Sequence, residues 1–367
     1  MKKRMALATV CVGALVCAFA SSAVQARSLQ SAQGTTPTAK APKLKLLWSE
    51  EFNGKAGVPD SVQTGDREYK KQYFWATEIT FTPPNQERQG YIDGPVEYGT
   101  KMINGKKKGY VKHRAIELDG KGNLAINARP VQPALKGFYP STQTDFFSCE
   151  RTSLPGGTCE WLSGRMSTKN QPGLFQGVGF MYGKLEARIK VPENDGTWPA
   201  FWLLGANIDK APWPKCGEID IMEASAVQRS GQAFGSLHSF PNDEHNIDIT
   251  ANTPAVENFY SDYHTYGILW KKDRIDFQFD GKTYLSVTKA FMTSANNAIP
   301  GKGRRGWPFN QEFFLIVNLA MGGILGGDPA DPVNPFMVPA TNTTGGTMLI
   351  DYIRYYSVDG VGKLIRH

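Results

Sequence analysis

The ten residues 216–225 constrain the fold most, because they place three carboxylates among aliphatic side chains of the kind that proteins usually bury. Within them, Ile219 and Ile221 alternate with Glu218 and Asp220. This period of two is typical of a strand with one apolar and one polar face, whereas a helix would point Glu218 and Asp220 about 200° apart. The segment is therefore predicted to be a β-strand.

The position of Glu223 in this strand predicts an irregularity. A regular strand aims Glu218 and Asp220 at one face and Glu223 at the other. One extra residue within 221–223, a β-bulge, brings Glu223 back to the first face. The two glutamates then lie about four strand steps apart, on the order of 13 Å, and side chains that lean inward approach the separation of about 5 Å that retaining glycoside hydrolysis requires.

Three carboxylates in this arrangement are compatible with more than one role. In retaining hydrolysis one carboxylate attacks the anomeric carbon, while a second carboxylic acid protonates the leaving oxygen and then activates water. Crowded like charges push pKa values apart, so one acid stays ionised while another stays protonated near neutral pH. A hard-cation site and a solvated strand face are the alternatives that the residues alone leave open.

Short alternating runs punctuated by Gly and Pro recur along the chain, and no long amphipathic helix or repeat interrupts them. This pattern favours an all-β fold of two packed antiparallel sheets. The predicted strands are 44–48, 123–128, 183–191, 200–204, 218–223, 235–238, 266–270, 275–279, 313–319 and 348–356.

The acidic stretch resembles the signature of glycoside hydrolase family 16, in the bulged E-x-D-x-x-E form of laminarinases, agarases and carrageenases. The resemblance runs from about residue 47 to 357, and within the family this chain is most similar to bacterial laminarinases. It implies a concanavalin A-like β-jelly roll with an open concave cleft for a polysaccharide. The further blocks that carry it are 182–191, 196–205, 213–216, 235–238, 307–311, 318–323 and 348–354.

The resemblance implies a secreted endo-acting enzyme that hydrolyses β-1,3 or mixed β-1,3/1,4 glucan with retention of configuration. Glu218 is then the nucleophile, Glu223 the general acid/base and Asp220 the assisting carboxylate. One alternative is the same fold acting on a galactan, a carrageenan-like glycan or a bacterial exopolysaccharide. The alternative from another class is a non-catalytic β-glucan-binding protein.

Aromatic residues in the matched blocks are candidates for sugar binding. The face of a tryptophan stacks on the flat C–H face of a sugar at low entropic cost, and Trp198 and Trp202 share a face because they lie four residues apart on a predicted strand. Trp213 and Trp307 are further candidates. His238 stands where the family carries a cleft histidine. Outside a matched family block, a tryptophan would more often be a core residue and a lone histidine a structural one.

Four further residues carry roles that only the resemblance implies. Asn85 and Arg165 correspond to residues that line the nucleophile side of the cleft. Glu51 and Asp351 correspond to a pair that holds a structural calcium far from the cleft, with a plain polar contact between the chain ends as the alternative. No cofactor is expected for catalysis.

The ends of the chain are predicted to lie outside the catalytic domain. Three basic residues, an apolar run at 6–20 and a small-residue site make residues 1–26 a secretory signal peptide, and the run is too short to span a membrane. Residues 27–42 read as a disordered linker. Residues 43–360 form one catalytic domain, and 361–367 form a tail. We expect an extracellular or periplasmic protein without a membrane anchor.

Of five cysteines, Cys149, Cys159 and Cys216 remain after the leader. In an exported protein, Cys149 and Cys159 are predicted to form a disulfide across a Pro-Gly-Gly turn. Cys216 is predicted to be a buried free thiol rather than a nucleophile.

The charge of the chain indicates its class of partner. Loss of the three basic leader residues lowers the net charge from +7 to +4, and no basic cluster is interleaved with aromatics, so nucleic acid is not expected. A basic patch at 101–112, inside an insertion at 86–117, is either a solvated loop or a contact for an anionic polysaccharide. We expect a monomer that binds polysaccharide.

Overall fold

The computed structural model describes residues 41–57, 62–63, 74–78, 85–92, 95–97, 102–103, 106–107, 112–130, 160–171, 176–225, 231–241, 249–298, 301, 303–328 and 335–367. All of these except Ala41 belong to one compact unit, Pro42–His367. The predicted signal peptide, residues 27–40 of the predicted linker, Cys149 and Cys159 lie outside the described residues.

The described residues form mainly strands, as the alternating pattern predicts. In chain order these are β1 Leu44–Glu50, β2 Val62–Gln63, β3 Trp75–Thr77, β4 Gln89–Tyr91, β5 Pro95–Glu97, β6 Met102–Ile103, β7 Lys106–Lys107, β8 Lys112–Arg114, β9 Ile116–Leu118, β10 Leu124–Pro130, β11 Trp161–Ser163, β12 Arg165–Ser167, β13 Val178–Met181, β14 Gly183–Lys190, β15 Thr197–Gly205, β16 Glu218–Glu223, β17 Phe234–His238, β18 Ile249–Asn252, β19 His264–Lys271, β20 Arg274–Phe279, β21 Lys282–Thr288, β22 Phe313–Met321, β23 Gly346–Val358 and β24 Lys363–Arg366. The helical segments are α1 Lys289–Met292, α2 Gly323–Gly326 and a 3₁₀ turn at Ala295–Asn297.

Two large sheets pack face to face as a jelly-roll sandwich, which confirms the predicted all-β fold class. The first sheet has the order β21-β20-β19-β14-β23-β10-β11-β4, with β1 beside β23 and β9 beside β10. The second has the order β18-β17-β16-β15-β22-β12-β3-β2, with β13 beside β22 and β24 beside β13. All ten predicted strands coincide with or overlap observed ones. The strands that sequence reasoning missed are mostly of two to four residues, too short for alternation to be recognised.

The chain end differs from the prediction. Residues 361–367 do not form a separate tail, since β24 pairs in antiparallel register with β13 of the second sheet. The buried Tyr355 hydroxyl accepts a hydrogen bond from the backbone N–H of Lys363 at 2.9 Å. The last residues are therefore part of the sandwich.

Alternation divides the second sheet into an inner and an outer face. Phe201 and Leu203 of β15 belong to the large core between the sheets. Leu204, Cys216 and Ile316 form a small cluster on the opposite, outer face. The outer face of the second sheet therefore offers positions for functional side chains that do not interrupt the core. Among the described helices, none is long and apolar enough to cross a membrane.

Candidate active site

The central feature of the outer face is a β-bulge in β16. In its pairing with β15, Asp220 lies opposite Trp202, while Met222 lies opposite Phe201. Ile221 is therefore the extra residue of β16 at this point. The pairing of β16 with β17 is also irregular between Asp220 and the end of the strand. The predicted bulge is confirmed.

The bulge brings the three acids to one face. Ile221 and Met222 are consecutive, yet both are buried within the large core, which a regular strand would not allow. Glu223 consequently emerges on the outer face with Glu218 and Asp220. The strand thus buries its aliphatic residues while it directs all three carboxyl groups away from the core.

Asp220 lies at the centre of this cluster and contacts a histidine from the neighbouring strand. The residue is only 2% exposed. His238 lies opposite Glu218 in the register of β16 and β17. Its Nε2 is 2.9 Å from Asp220 Oδ2 and 4.0 Å from Glu218 Oε1, although Oδ2 accepts no hydrogen bond of good geometry. The imidazole therefore contacts Asp220 and lies near Glu218, whose pKa its charge lowers.

Two tryptophans hold the glutamates. Trp198 Nε1 donates a hydrogen bond of 2.8 Å to Glu223 Oε1. The Trp213 indole donates to the Glu218 carboxyl group, and its ring lies 6.2 Å from that of His238. Because an indole N–H can only donate, both contacts favour the ionised carboxylates.

Burial dominates the electrostatics of the cluster. It raises the pKa of Glu218 to about 8, with a further increase from the charge of Asp220 and opposing effects of His238 and Trp213. Burial is also the main reason that the pKa of Glu223 rises to about 7, against the hydrogen bond from its tryptophan. The pKa of Asp220 is raised well above its ordinary value by burial and by the charge of Glu223.

These shifts determine how protons are distributed near neutral pH. Three buried carboxyl groups on one strand face do not all ionise near neutral pH, because each charge penalises the others. A hydrogen bond joins the Asp220 and Glu218 carboxyl groups, so these two acids share a proton. Because the pKa of Glu218, about 8, lies above that of Glu223, about 7, the form with Glu218 ionised and Glu223 protonated is the less populated single-proton form of this pair. Two-carboxylate hydrolysis proceeds from that form.

A hydrogen-bonded chain of side chains supports the outer face beside β16. Trp202 Nε1 donates to Asn318 Oδ1 at 2.8 Å, and Asn318 Nδ2 donates to the Tyr91 hydroxyl at 3.0 Å. That hydroxyl donates to Glu87 Oε2 at 3.2 Å. The guanidinium carbon of Arg165 lies 5.1 Å from the Trp202 ring centre. The half-buried indole of Trp202 is therefore held in a defined orientation one strand away from the acids.

This geometry agrees with a family model. Residues 161–305, which include the bulged strand, match the model of glycosyl hydrolases family 16. The middle part of the chain is therefore similar to that family. The predicted resemblance is confirmed.

Individual relatives support the same assignment. Glucan endo-1,3-beta-glucosidase A1 of Niallia circulans is 29% identical over 330 residues, which make up 88% of this chain and 39% of the relative. Glucan endo-1,3-beta-glucosidase of Cryptopygus antarcticus is 34% identical over 177 residues, 47% of this chain and 60% of the relative. This chain thus spans less than two thirds of both relatives.

A solved structure extends the similarity to the whole fold. The catalytic domain of an endo-1,3-beta-glucanase (laminarinase) from Thermotoga petrophila RKU-1 is 27% identical and superposes with a TM-score of 0.58. The match covers 87% of this chain and 99% of the solved chain. The family's sandwich therefore accounts for nearly all of the described unit.

Two of the tryptophans predicted to stack on sugar have other contacts. Trp198 is 7% exposed, so its ring is not an open platform, and its role is to donate to Glu223. Trp307 packs against the core and donates to the Lys272 carbonyl oxygen at 2.9 Å. Among the four candidates, only Trp202 and the 39% exposed Trp213 present ring surface beside the acids.

Arg165 and Asn85, which were predicted to line the nucleophile side of the cleft, have different surroundings. Arg165 lies opposite Asn318 in the pairing of β12 and β22 and forms an ion pair with Glu78. Asn85 is exposed with a φ of 63°, and its carbonyl oxygen accepts a hydrogen bond from the Ile324 N–H at 3.0 Å. The described contacts therefore link Arg165, but not Asn85, to the outer face.

Sequence reasoning missed the buried chain of Glu87, Tyr91 and Asn318. A signal was present for Asn318, which is the one polar residue in the apolar strand β22. Glu87 lies two residues after Asn85 and is 6% exposed. Its charge contributes to the raised pKa of Glu223.

The residues that resemble the family's calcium pair each contact an arginine. Both carboxylate oxygens of Glu51 accept hydrogen bonds from Arg354, at 2.9 and 2.7 Å. Asp351 Oδ2 accepts one from Arg188 Nη1 at 2.6 Å. Because two guanidinium groups neutralise these carboxylates, the donor set does not fit a shared calcium.

Cys216 is a buried free thiol, and burial raises its pKa to about 11. It is therefore not a nucleophile at neutral pH, as predicted.

The hard-cation alternative for the acids is also disfavoured. In the described part of the chain, Glu218, Asp220 and His238 are the set whose ligand atoms lie within 4.8 Å of one another. This set includes an imidazole, whereas hard cations prefer oxygen ligands alone.

Proposed function

We propose that this protein is a retaining endo-glycosidase that hydrolyses β-1,3 or mixed β-1,3/1,4 glucan by double displacement. The observation that carries the proposal is the bulge at Ile221, since it directs Glu218, Asp220 and Glu223 to one face. The family and the laminarinase fold support the substrate class.

In the first step, the Glu218 carboxylate attacks the anomeric carbon of the glycosidic bond. Glu223 gives its proton to the departing oxygen, so the leaving chain departs as a neutral alcohol. The products are a glycosyl ester on Glu218 and an ionised Glu223, which the Trp198 hydrogen bond stabilises. The raised pKa of Glu223, about 7, provides the protonated form at the start of this step.

In the second step, ionised Glu223 removes a proton from water, and the water oxygen attacks the anomeric carbon. The ester bond breaks and Glu218 leaves as a carboxylate, so two inversions give net retention. Asp220 shares a proton with Glu218 and supplies it as negative charge returns to that residue. His238 lies close enough to both carboxyl groups to stabilise this charge.

Hydrolysis assays separate this proposal from its alternatives. The protein without residues 1–26 is incubated with laminarin, lichenan, agarose and a carrageenan, and reducing ends are counted. We expect cleavage of laminarin or lichenan. NMR should show that the reducing end of the product is first released as the β-anomer. Cleavage of only the galactans would favour the alternative substrate class, whereas glucan binding without cleavage would favour the non-catalytic class.

Variants test the two catalytic roles. Glu218→Ala and Glu223→Ala are each expected to lose at least about 10³ in kcat, because each loses a covalent or proton-transfer role. Added azide should yield the α-glycosyl azide with Glu218→Ala and the β-glycosyl azide with Glu223→Ala. Glu186→Gln on β14 of the other sheet is a matched control and should keep wild-type turnover. Near-wild-type turnover in either alanine variant would reject the assignment.

We further propose that the protein acts after export. The support is the basic, apolar and small-residue pattern of residues 1–26. Expression of the whole chain in a bacterial host should place activity outside the cytoplasm, with a new N-terminus at residue 27. Activity confined to the cytoplasm, with the leader retained, would contradict export.

A further inference from the structure

Phe234 begins β17, on the side of the acids away from Trp202. In the register of β16 and β17, Phe234 lies directly opposite Glu223. Directly opposed residues of antiparallel strands have Cβ atoms about 4.5–5.5 Å apart and side chains on one face. The phenylalanine ring therefore shares the outer face with the general acid/base.

This aromatic side chain has no place in the core. It is half-buried, and within the described residues it is not among those packed against either apolar cluster. The next residue explains how the strand holds it there. A Cβ on Gly235 would come within 2.5 Å of the Tyr284 hydroxyl and 2.6 Å of the Phe277 ring, so β17 is pressed against the other sheet at this point. Phe234 is left on the outer surface.

The polar neighbours of Phe234 suit a sugar. On the other side of the ring from Glu223, the paired residue is Asn252 of β18, which is exposed. Its amide can both donate to and accept from sugar hydroxyls. An apolar ring flanked by an amide and a carboxyl group is the combination that pyranoses require, since they present a flat C–H face rimmed by hydroxyls.

The strand order of the second sheet indicates on which side of the scissile bond Phe234 lies. Trp202 lies on β15, on one flank of β16, whereas Phe234 lies on β17, on the opposite flank. Glu223 must touch the oxygen that joins the two halves of the substrate. A chain that passes over Trp202 and reaches Glu223 continues over Phe234.

We propose that Phe234, with Asn252 beside it, forms the binding site for the first pyranose on the leaving-group side. This inference deepens the proposed function and rests on it. The same site would hold a sugar acceptor for the glycosyl ester. The acceptor hydroxyl gives its proton to Glu223, its oxygen bonds to the anomeric carbon, and Glu218 leaves as a carboxylate.

Two substrates separate this role from a structural one. Laminarin fills both sides of the cleavage site. In a 2,4-dinitrophenyl β-laminarioligoside, the sugars fill the Trp202 side alone. Its leaving group is 2,4-dinitrophenolate, which departs without acid catalysis and without a sugar-binding site. Phe234→Ala should lower kcat/KM for laminarin about tenfold, which corresponds to the loss of one aromatic contact. The same variant should cleave the aryl substrate within about twofold of wild type.

Three further variants are matched to this one. Phe234→Tyr retains the ring and should restore laminarin cleavage. Phe291→Ala removes a phenylalanine that is 53% exposed on α1 and should leave both substrates unaffected. Trp202→Ala should impair both substrates, because the glycone is common to them.

The outcomes are distinct. Loss on laminarin alone, restored by tyrosine, supports the site. Equal loss on both substrates, or no loss on either, overturns it even when the wild-type enzyme is active. If wild-type protein cleaves neither substrate, the proposed function fails, and the leaving-group site fails with it. A melting temperature for each variant separates the loss of a contact from the loss of the fold.

Discussion

At the scale of single residues, the cluster depends on which donors reach which carboxyl group. Glu223 illustrates this, because two opposing influences set its proton affinity. Burial raises its pKa to about 7, whereas the hydrogen bond from Trp198 lowers the pKa. The indole thus limits the upward shift to a value at which Glu223 can both give and take a proton near neutral pH.

Trp198→Phe tests this balance. The substitution keeps an aromatic ring but removes the N–H that stabilises ionised Glu223, so the pKa of Glu223 should rise further. Since kcat/KM falls as the general acid deprotonates, the alkaline limb should move to higher pH by up to about one unit. Trp202→Phe is the control, because its indole donates to Asn318, and its alkaline limb should stay in place. An unchanged or lower limb in Trp198→Phe would contradict the role.

At the scale of elements, β16 combines two requirements by means of one inserted residue. The strand must bury Ile219, Ile221 and Met222 in the core and still direct its acids outward. The bulge satisfies both requirements, because Ile221 and Met222 share one inward position. A bulge in this place is therefore a functional feature of the strand rather than a defect.

Two deletions in this strand are expected to lower activity to different extents. Without Ile221, regular alternation still places Glu218, Asp220 and Glu223 on one face, so measurable activity should remain, reduced about 10- to 100-fold. Without Ile219, the alternation sends Glu218 to the face opposite the other acids, and activity should fall to background.

Both deletions remove one buried isoleucine, so both should lower the melting temperature to a similar extent. Circular dichroism and thermal melts check that each variant folds. Equal activities in two folded variants would show that the face assignment of the acids is wrong.

At the scale of the whole molecule, the acidic cluster that we propose to be catalytic lowers the stability of the fold. Burial raises the pKa of Glu223 from an ordinary value of 4.5 to about 7, so the folded protein holds this proton more tightly than the unfolded chain. Between these two pH values the folded state binds more protons, and the free energy of unfolding falls as the pH rises. The loss of unfolding free energy caused by ionised, buried Glu223 reaches its full value above about pH 7.

Glu223→Gln should therefore stabilise the protein in a pH-dependent way. Glutamine carries no ionisable proton, so the variant escapes the cost of a buried charge. Its melting temperature should exceed that of wild type by a few degrees at pH 8 and match it at pH 4. The control is Glu186→Gln, which removes a carboxylate paired with Lys184 rather than one held among other acids and should not raise the melting temperature at pH 8. A stabilisation that is the same at both pH values would contradict the electrostatic origin.

The ion pairs between the chain ends bear on the predicted calcium. Arg354 and Arg188 neutralise Glu51 and Asp351, so a chelator should leave the melting temperature within about 1 °C. Arg354→Met should lower it by about one or two degrees, since partly exposed ion pairs contribute little. A marked fall in melting temperature with chelator, reversed by Ca²⁺, would establish the metal.

Much of the site was predictable because its information is local in sequence. Alternation with a period of two requires only neighbouring residues, so it identified β16, the bulge and the common face of its three acids. The same locality placed Trp198 and Trp202 on one face. The order of family blocks then supplied the jelly roll.

Other properties depend on contacts between residues far apart in the chain. The hydrogen bond from Asn318 to Tyr91 spans 227 positions, and that from Arg354 to Glu51 spans 303. No local pattern encodes these pairs, so sequence reasoning made Trp198 a sugar platform and Glu51 a metal ligand. What the sequence determined is which face each side chain takes, because strand geometry repeats every two residues. What only the tertiary structure decided is which partner each side chain meets and how deeply it is buried, because strand pairing joins distant parts of the chain.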